Sequence, residues 1–88
     1  MDRKARIEST LQAAFQPQTL SVDDESALHA GHAGARSGGQ THYRVTMVSK
    51  AFDGVNRLAR SRAVHNALAS EFAGGLHALA LTLRAPGE

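Results

Sequence analysis

Apolar residues recur along the chain with two different periods, and the switches between them mark its elements. Ile7, Leu11, Ala14 and Phe15 fall at three- and four-residue steps, which places them on one stripe and predicts a helix over residues 2–15. Pro17 ends it, because proline has no amide hydrogen to donate. Thr19 to Val22 alternates, with Leu20 and Val22 to one side, and predicts a short strand that emerges into the acidic run Asp23-Asp24-Glu25. Thr41 to Val48 alternates more clearly, with Tyr43, Val45 and Met47 on one face and His42, Arg44 and Thr46 on the other. Phe52-Asp53-Gly54 reads as a turn, since glycine tolerates positive φ and aspartate bonds its own backbone. A second helix runs from about Asn56 or Arg60 to Phe72, where Val64, Leu68 and Phe72 repeat every four residues, and Gly74-Gly75 supplies a left-handed end. Leu76 to Leu83 is the last strand, with His77, Leu79, Leu81 and Leu83 on one side, Ala78 and Ala80 on the other, and His77 at its start.

Ala27 to Gln40 breaks both periods. Its small residues bury almost nothing and its glycines raise the entropy cost of ordering, so a mobile loop is expected at about 27–40. A loop of that length inside a small domain is either functional or disordered. It contains no helix, which pairs the first two strands antiparallel. The helix between the second and third strands makes their connection a parallel, right-handed crossover. The expected fold is therefore α/β (α+β) in the order α-β-β-α-β. A three-stranded mixed sheet carries both helices on one face through Ile7, Leu11, Val64, Leu68 and Phe72.

Composition and charge change this picture in four places. With 88 residues, 42% apolar and 20% charged, the chain reads as a single globular domain over 1–88. The absence of cysteine removes disulfides, thiolate ligands and thiol nucleophiles, so metal chemistry would have to use histidine or carboxylate. The charged start Met1-Asp2-Arg3-Lys4-Ala5-Arg6 leads into no apolar run and no 18 consecutive residues are apolar, so a cytoplasmic protein with no membrane association is expected. The net charge of +2 is unevenly placed: between His42 and His65, Arg44, Lys50, Arg57, Arg60 and Arg62 face Asp53 alone.

Candidate chemistry is sparse. No carboxylate pair, Ser-His-Asp set or glycine-rich phosphate loop stands at a usable spacing, so an enzyme is not expected. Gly31-His32-Ala33-Gly34 matches the G-x-x-G of KH nucleic-acid modules, but between two strands rather than two helices. His29 and His32 in the loop, with His77 at a strand rim, form a candidate ligand set for Zn, Cu or Fe, which neutral imidazole suits. Two ligands do not complete a site, so a partner or cofactor would supply the rest. The other reading makes His77 a hydrogen-bonded residue at the edge of the core and leaves the loop histidines solvated. For His42 and His65 a surface position is expected. Lys50, Arg57, Arg60 and Arg62 are candidate nucleic-acid or partner contacts; four phosphate contacts would give a salt slope of about −3.6. The alternative is a solvated helix start in which an arginine reaches a backbone carbonyl or Asp53.

Several stretches together resemble the BolA family. They are Ala13-Ala14-Phe15-Gln16-Pro17, Asp24-Glu25-Ser26 with His29, Thr41-His42-Tyr43-Arg44-Val45, Phe52-Asp53-Gly54, Arg60-Ser61-Arg62 and Leu76-His77-Ala78-Leu79-Ala80-Leu81. The resemblance implies a class II KH-like fold and a non-enzymatic protein that pairs with a monothiol glutaredoxin and shares a [2Fe-2S] cluster with it. Such a protein acts in cluster delivery or iron homeostasis. It implies His77 as one metal ligand and His29 or His32 as the other, with the glutaredoxin contributing its cysteine and a glutathione thiol. Mixed thiolate and imidazole ligation of such a centre is chemically reasonable, as two-histidine irons show. No cluster is expected in the isolated chain, which is expected to be a monomer or weak dimer. Some BolA-like proteins regulate transcription by binding DNA, and the alternative function is that of a DNA-binding regulator contacting duplex DNA through Lys50, Arg57, Arg60 and Arg62. The chain departs from the family in Ser61, where members often carry histidine, and in ending at Glu88 soon after the last strand.

Overall fold

Asp2 opens the first helix, its carboxylate accepting the Ala5 amide hydrogen at 2.9 Å, as aspartate does at a helix N-cap. The structure is a computed structural model that describes residues 2–26 and 40–88. Helix α1 spans Arg3–Phe15 and buries Ile7 and Leu11 completely. Gln16 closes it in the left-handed conformation at φ 45° before Pro17. Strand β1 runs Thr19–Asp24, two residues beyond the expected end, because Asp23 and Asp24 still pair with Arg44 and Tyr43 of the next strand. The loop expected at about 27–40 lies, apart from Gln40, outside the described residues, as do His29 and His32.

Strand β2 spans His42–Val48 and is followed by a 3-10 turn at Lys50–Phe52. Gly54 then turns the chain at φ +72°, in the role expected for Phe52-Asp53-Gly54. Helix α2 spans Arg57–Ala67, with Asn56 capping the Ala59 amide at 2.9 Å. The single helix expected to reach Phe72 is in fact two. Leu68, at φ −102° and ψ 17°, interrupts it, and a short helix α3 spans Ala69–Ala73. Leu68 keeps its side chain fully buried while its carbonyl accepts the Glu71 and Phe72 amides, so the break preserves the core contact and redirects the chain beyond it. Of the two glycines after α3, Gly75 alone takes positive φ. Strand β3 spans Ala78–Arg84, beginning two residues later than the alternation suggests.

The sheet order is β1-β2-β3, antiparallel then parallel, as the connections require. Its register aligns Val22, Val45 and Leu81 across one face and Leu20, Met47 and Leu83 beside them. Those residues close the core with Ile7, Leu11, Tyr43, Phe52, Val64 and Leu68, so both long helices cover this face. On the other face Ser21, Asp23, Arg44 and Thr46 are exposed. β3 forms an edge, and its leucines are only half-buried. No described helix is long and apolar enough to cross a membrane.

Candidate functional site

The start of β2 holds the approach to β3 through a single carbonyl. Thr41 O accepts the His77 amide at 2.8 Å and the Ala78 amide at 3.1 Å, which pins the backbone of His77 beside β2. Behind it, Ser26 Oγ accepts the amides of Thr41 at 3.0 Å and His42 at 3.2 Å, while the Ser26 amide donates to Asp24 Oδ1 at 2.9 Å. Thr41 Oγ1 and His42 Nδ1 are hydrogen-bonded at 2.9 Å. The rings of His42 and His77 lie 5.2 Å apart at 50°.

Both histidines depart from their expected settings. Alternation places His77 on the inner side with the leucines; it is exposed, because it precedes β3 and Leu76 takes the buried position instead. His42, expected at the surface, is 7% exposed, because Thr41 and His77 flank its ring on the otherwise polar face. His65 is exposed as expected, bonding Ser61 O at 2.9 Å and stacking on Phe72.

The carboxylate at this end is held ionised. Burial pushes the Asp24 carboxyl up, but hydrogen bonds from Ser26, the Gln40 backbone and Tyr43 outweigh it and hold the group below the ordinary range. The Tyr43 phenol is pushed up to about 12, first by burial and then by the Asp24 charge.

An exposed imidazole on a fixed backbone is a suitable metal ligand. Among the described residues no three His, Cys, Asp or Glu groups converge as a metal site.

The four basic candidates do not form one face. Arg57 and Arg60 line a cleft of about 800 Å3 between the start of α2 and β3, whereas Lys50 lines a separate depression at the end of α1. Arg62 is exposed and lines neither. Arg60 donates from Nε to Val55 O at 2.7 Å and forks onto Glu88 at 2.5 and 2.7 Å. One of the three arginines therefore reaches a backbone carbonyl, and its carboxylate partner is Glu88 rather than Asp53.

Sequence pattern alone misses one buried charge cluster. Glu71, 8% exposed, receives Arg3 Nε at 3.0 Å and Arg6 Nε at 3.0 Å. Arg3 also donates to Gly74 O at 2.8 Å and to Gln40 O, tying α1 to the end of α3 and the entry to β2. The available signal is that Arg3 falls four residues before Ile7 and eight before Leu11, on the buried stripe.

Comparison with known proteins bears on the whole chain. A model of the family described as BolA-like protein matches residues 11–88. An uncharacterized protein in the cobS 5′ region of Sinorhizobium sp is 48% identical over 83 residues, covering 93% of this chain and 89% of that one. The chloroplastic protein BOLA1 of Arabidopsis thaliana is 40% identical over 89 residues, and there the match spans 99% of this chain but 56% of the relative. Among solved structures, the BolA domain of SufE1 from Arabidopsis thaliana superposes with a TM-score of 0.88 at 36% identity, covering 98% of this chain and 94% of that one.

Proposed function

The chain belongs to the BolA-like family, and on that footing we propose that it is a non-enzymatic binding protein that pairs with a monothiol glutaredoxin and shares a [2Fe-2S] cluster with it. The role is cluster delivery or iron homeostasis. The observation that carries the reading is His77: an exposed imidazole, fixed through its own amide to Thr41 and backed by the ring of His42.

On this reading His77 and either His29 or His32 hold iron from this side, and the glutaredoxin cysteine with a glutathione thiol hold it from the other. The cluster, when bound, supplies a one-electron couple and a transferable iron–sulfur unit. What this chain's residues contribute is placement. The Thr41 carbonyl fixes where the His77 backbone sits, and His42 occupies one flank of its ring and limits the rotamers open to it. Because His77 is already exposed, it meets a partner without breaking core packing.

The duplex-DNA reading of Lys50, Arg57, Arg60 and Arg62 has no comparable observation in its favour, since Lys50 lies in a different depression from Arg57 and Arg60 and Arg62 lines neither.

The test is an anaerobic titration of this chain into a cluster-loaded monothiol glutaredoxin, monitored by visible absorption and circular dichroism. A saturating spectral change at one chain per glutaredoxin, lost in His77→Ala with the far-ultraviolet spectrum intact, is the expected result. A change that survives His77→Ala would remove His77 from the ligand set, and no change with the folded wild-type chain would overturn the pairing.

A further inference from the structure

The outer edge of β3 borders a cleft at the opposite end of that strand from His77. Among the described residues no strand pairs with this edge. The Arg84 carbonyl accepts the Ser49 amide on the β2 side. Along a parallel strand, alternate residues aim their backbone groups to opposite sides, so those of Leu79, Leu81 and Leu83 face outward. Arg60 Nη1 donating to Leu83 O at 3.2 Å lies on that outward side.

Beyond the edge is the cleft of about 800 Å3, walled by Val55, Asn56, Arg57 and Ser61 at the start of α2. Arg60 stands in it with its side chain 11% exposed. It is held by the Val55 and Leu83 carbonyls, and its guanidinium lies over the Phe52 ring at 5.8 Å from the centroid. This fixed fork already holds a carboxylate, that of Glu88, through two parallel hydrogen bonds at 2.5 and 2.7 Å. Glu88 is 46% exposed in its side chain, and Arg57 and Arg84 beside the cleft are exposed.

We propose that this cleft takes an extended acidic peptide segment of a partner protein, which adds to β3 as a further strand and places a carboxylate on Arg60 in exchange for that of Glu88. An edge strand with outward amides and carbonyls is the template that such strand addition uses. Charge selects the occupant. On the helix-facing side of the added strand a carboxylate meets Arg60 and Arg57, and on the other face one meets Arg84, which is in register with Val48. Apolar residues between them cover the half-buried Leu81 and Leu83. The exchange is accessible because an ion pair with an exposed partner contributes little, about fivefold at most in an equilibrium constant.

The experiment records the amide proton–nitrogen spectrum of the whole chain during titration with a short capped peptide repeating glutamate-glutamate-valine-valine, which puts both residue types on each face of a strand, and with its glutamine-for-glutamate counterpart. Saturable shifts at the Leu79, Leu81 and Leu83 amides and at Arg60 Nε are expected, with the glutamine peptide about tenfold weaker or more. Glu88→Gln removes the internal competitor and should tighten the glutamate peptide about threefold to fivefold. Arg57→Ala, at an exposed position that cannot disturb the core, should weaken it. Equal affinity of the two peptides, shifts centred on Thr41 and His77, or an affinity unchanged in Glu88→Gln would each overturn the proposal. So would a short DNA duplex producing the same shifts at lower concentration, which would assign the cleft to nucleic acid.

Discussion

His77 and His42 meet ring to ring, 5.2 Å between centroids, yet one is exposed and the other is 7% exposed. The two should therefore separate in their effects on stability. His77→Ala removes an exposed side chain and should change the unfolding free energy by no more than about 0.5 kcal/mol. His42→Ala leaves the Thr41 hydroxyl without its imidazole partner at a buried position and should cost about 1–3 kcal/mol. Urea unfolding with an unchanged m-value measures both. A loss above about 1 kcal/mol for His77→Ala would make that ring structural.

The Arg3, Arg6 and Glu71 cluster joins residues from the two ends of the chain, and removing one partner of a buried ion pair leaves an uncompensated charge. Arg3→Ala should destabilise by about 3 kcal/mol, more than Arg6→Ala, whose side chain is 41% exposed. Equal losses in urea unfolding would contradict the assignment of Arg3 as the central tie.

Acid should act through the same cluster. The hydrogen bond from Arg6, then that from Arg3, hold the Glu71 carboxyl below its ordinary value of 4.5 against the opposing effect of burial. A depressed carboxyl adds stability that is complete above the ordinary value and is lost as pH falls through the folded one. Glu71→Gln should therefore be less stable than wild type at neutral pH, and the difference should shrink as pH falls below the ordinary 4.5. A difference that stays constant into acid would sink this account.

Tyr43 is the chain's one tyrosine, so phenolate absorbance in the near ultraviolet reports it alone. Burial first, and the Asp24 charge second, push its hydroxyl up to about 12 from 10.0. A raised pKa contributes stability that is fully present below the unfolded value and is lost as pH rises through the folded one. The folded chain should thus stay un-ionised past pH 10.0, and Asp24→Asn should bring the midpoint down. An ionisation midpoint at 10.0 with native circular dichroism would show that the phenol is not held in the core.

Glu88 should titrate below the ordinary value of 4.5, because Arg60 and then the Ala85 amide bind its carboxylate. Its contribution is present above the ordinary value and is lost as pH falls through the lowered one. Arg60→Gln should return it to the ordinary range in a carboxyl-detected nuclear magnetic resonance titration. No movement in that variant would place the cause elsewhere.

Local pattern determined most of the fold. The four-residue step from Ile7 to Leu11 and the alternation of Tyr43, Val45 and Met47 each state which face is buried, because the helix and the strand repeat over distances shorter than the elements themselves. The helix-free first connection and the helical second one then set antiparallel and parallel pairing. The identity of an exposed His77 at a strand rim was half legible: its place in the chain was plain, but its side was not, since alternation does not extend past the first paired residue.

Tertiary structure decided the rest. No local period reports that Leu68 breaks a helix so that Glu71 reaches Arg3 across 68 residues, or that Arg60 takes the Glu88 carboxylate across 28. The burial of His42 on a polar face likewise depends on Thr41 and on a ring that arrives 35 positions later, the interval from 42 to 77. Sequence periodicity encodes which face a residue takes within its own element, whereas the partner of a charged or polar side chain depends on where distant elements come to rest, and only the assembled sheet and helices specify that.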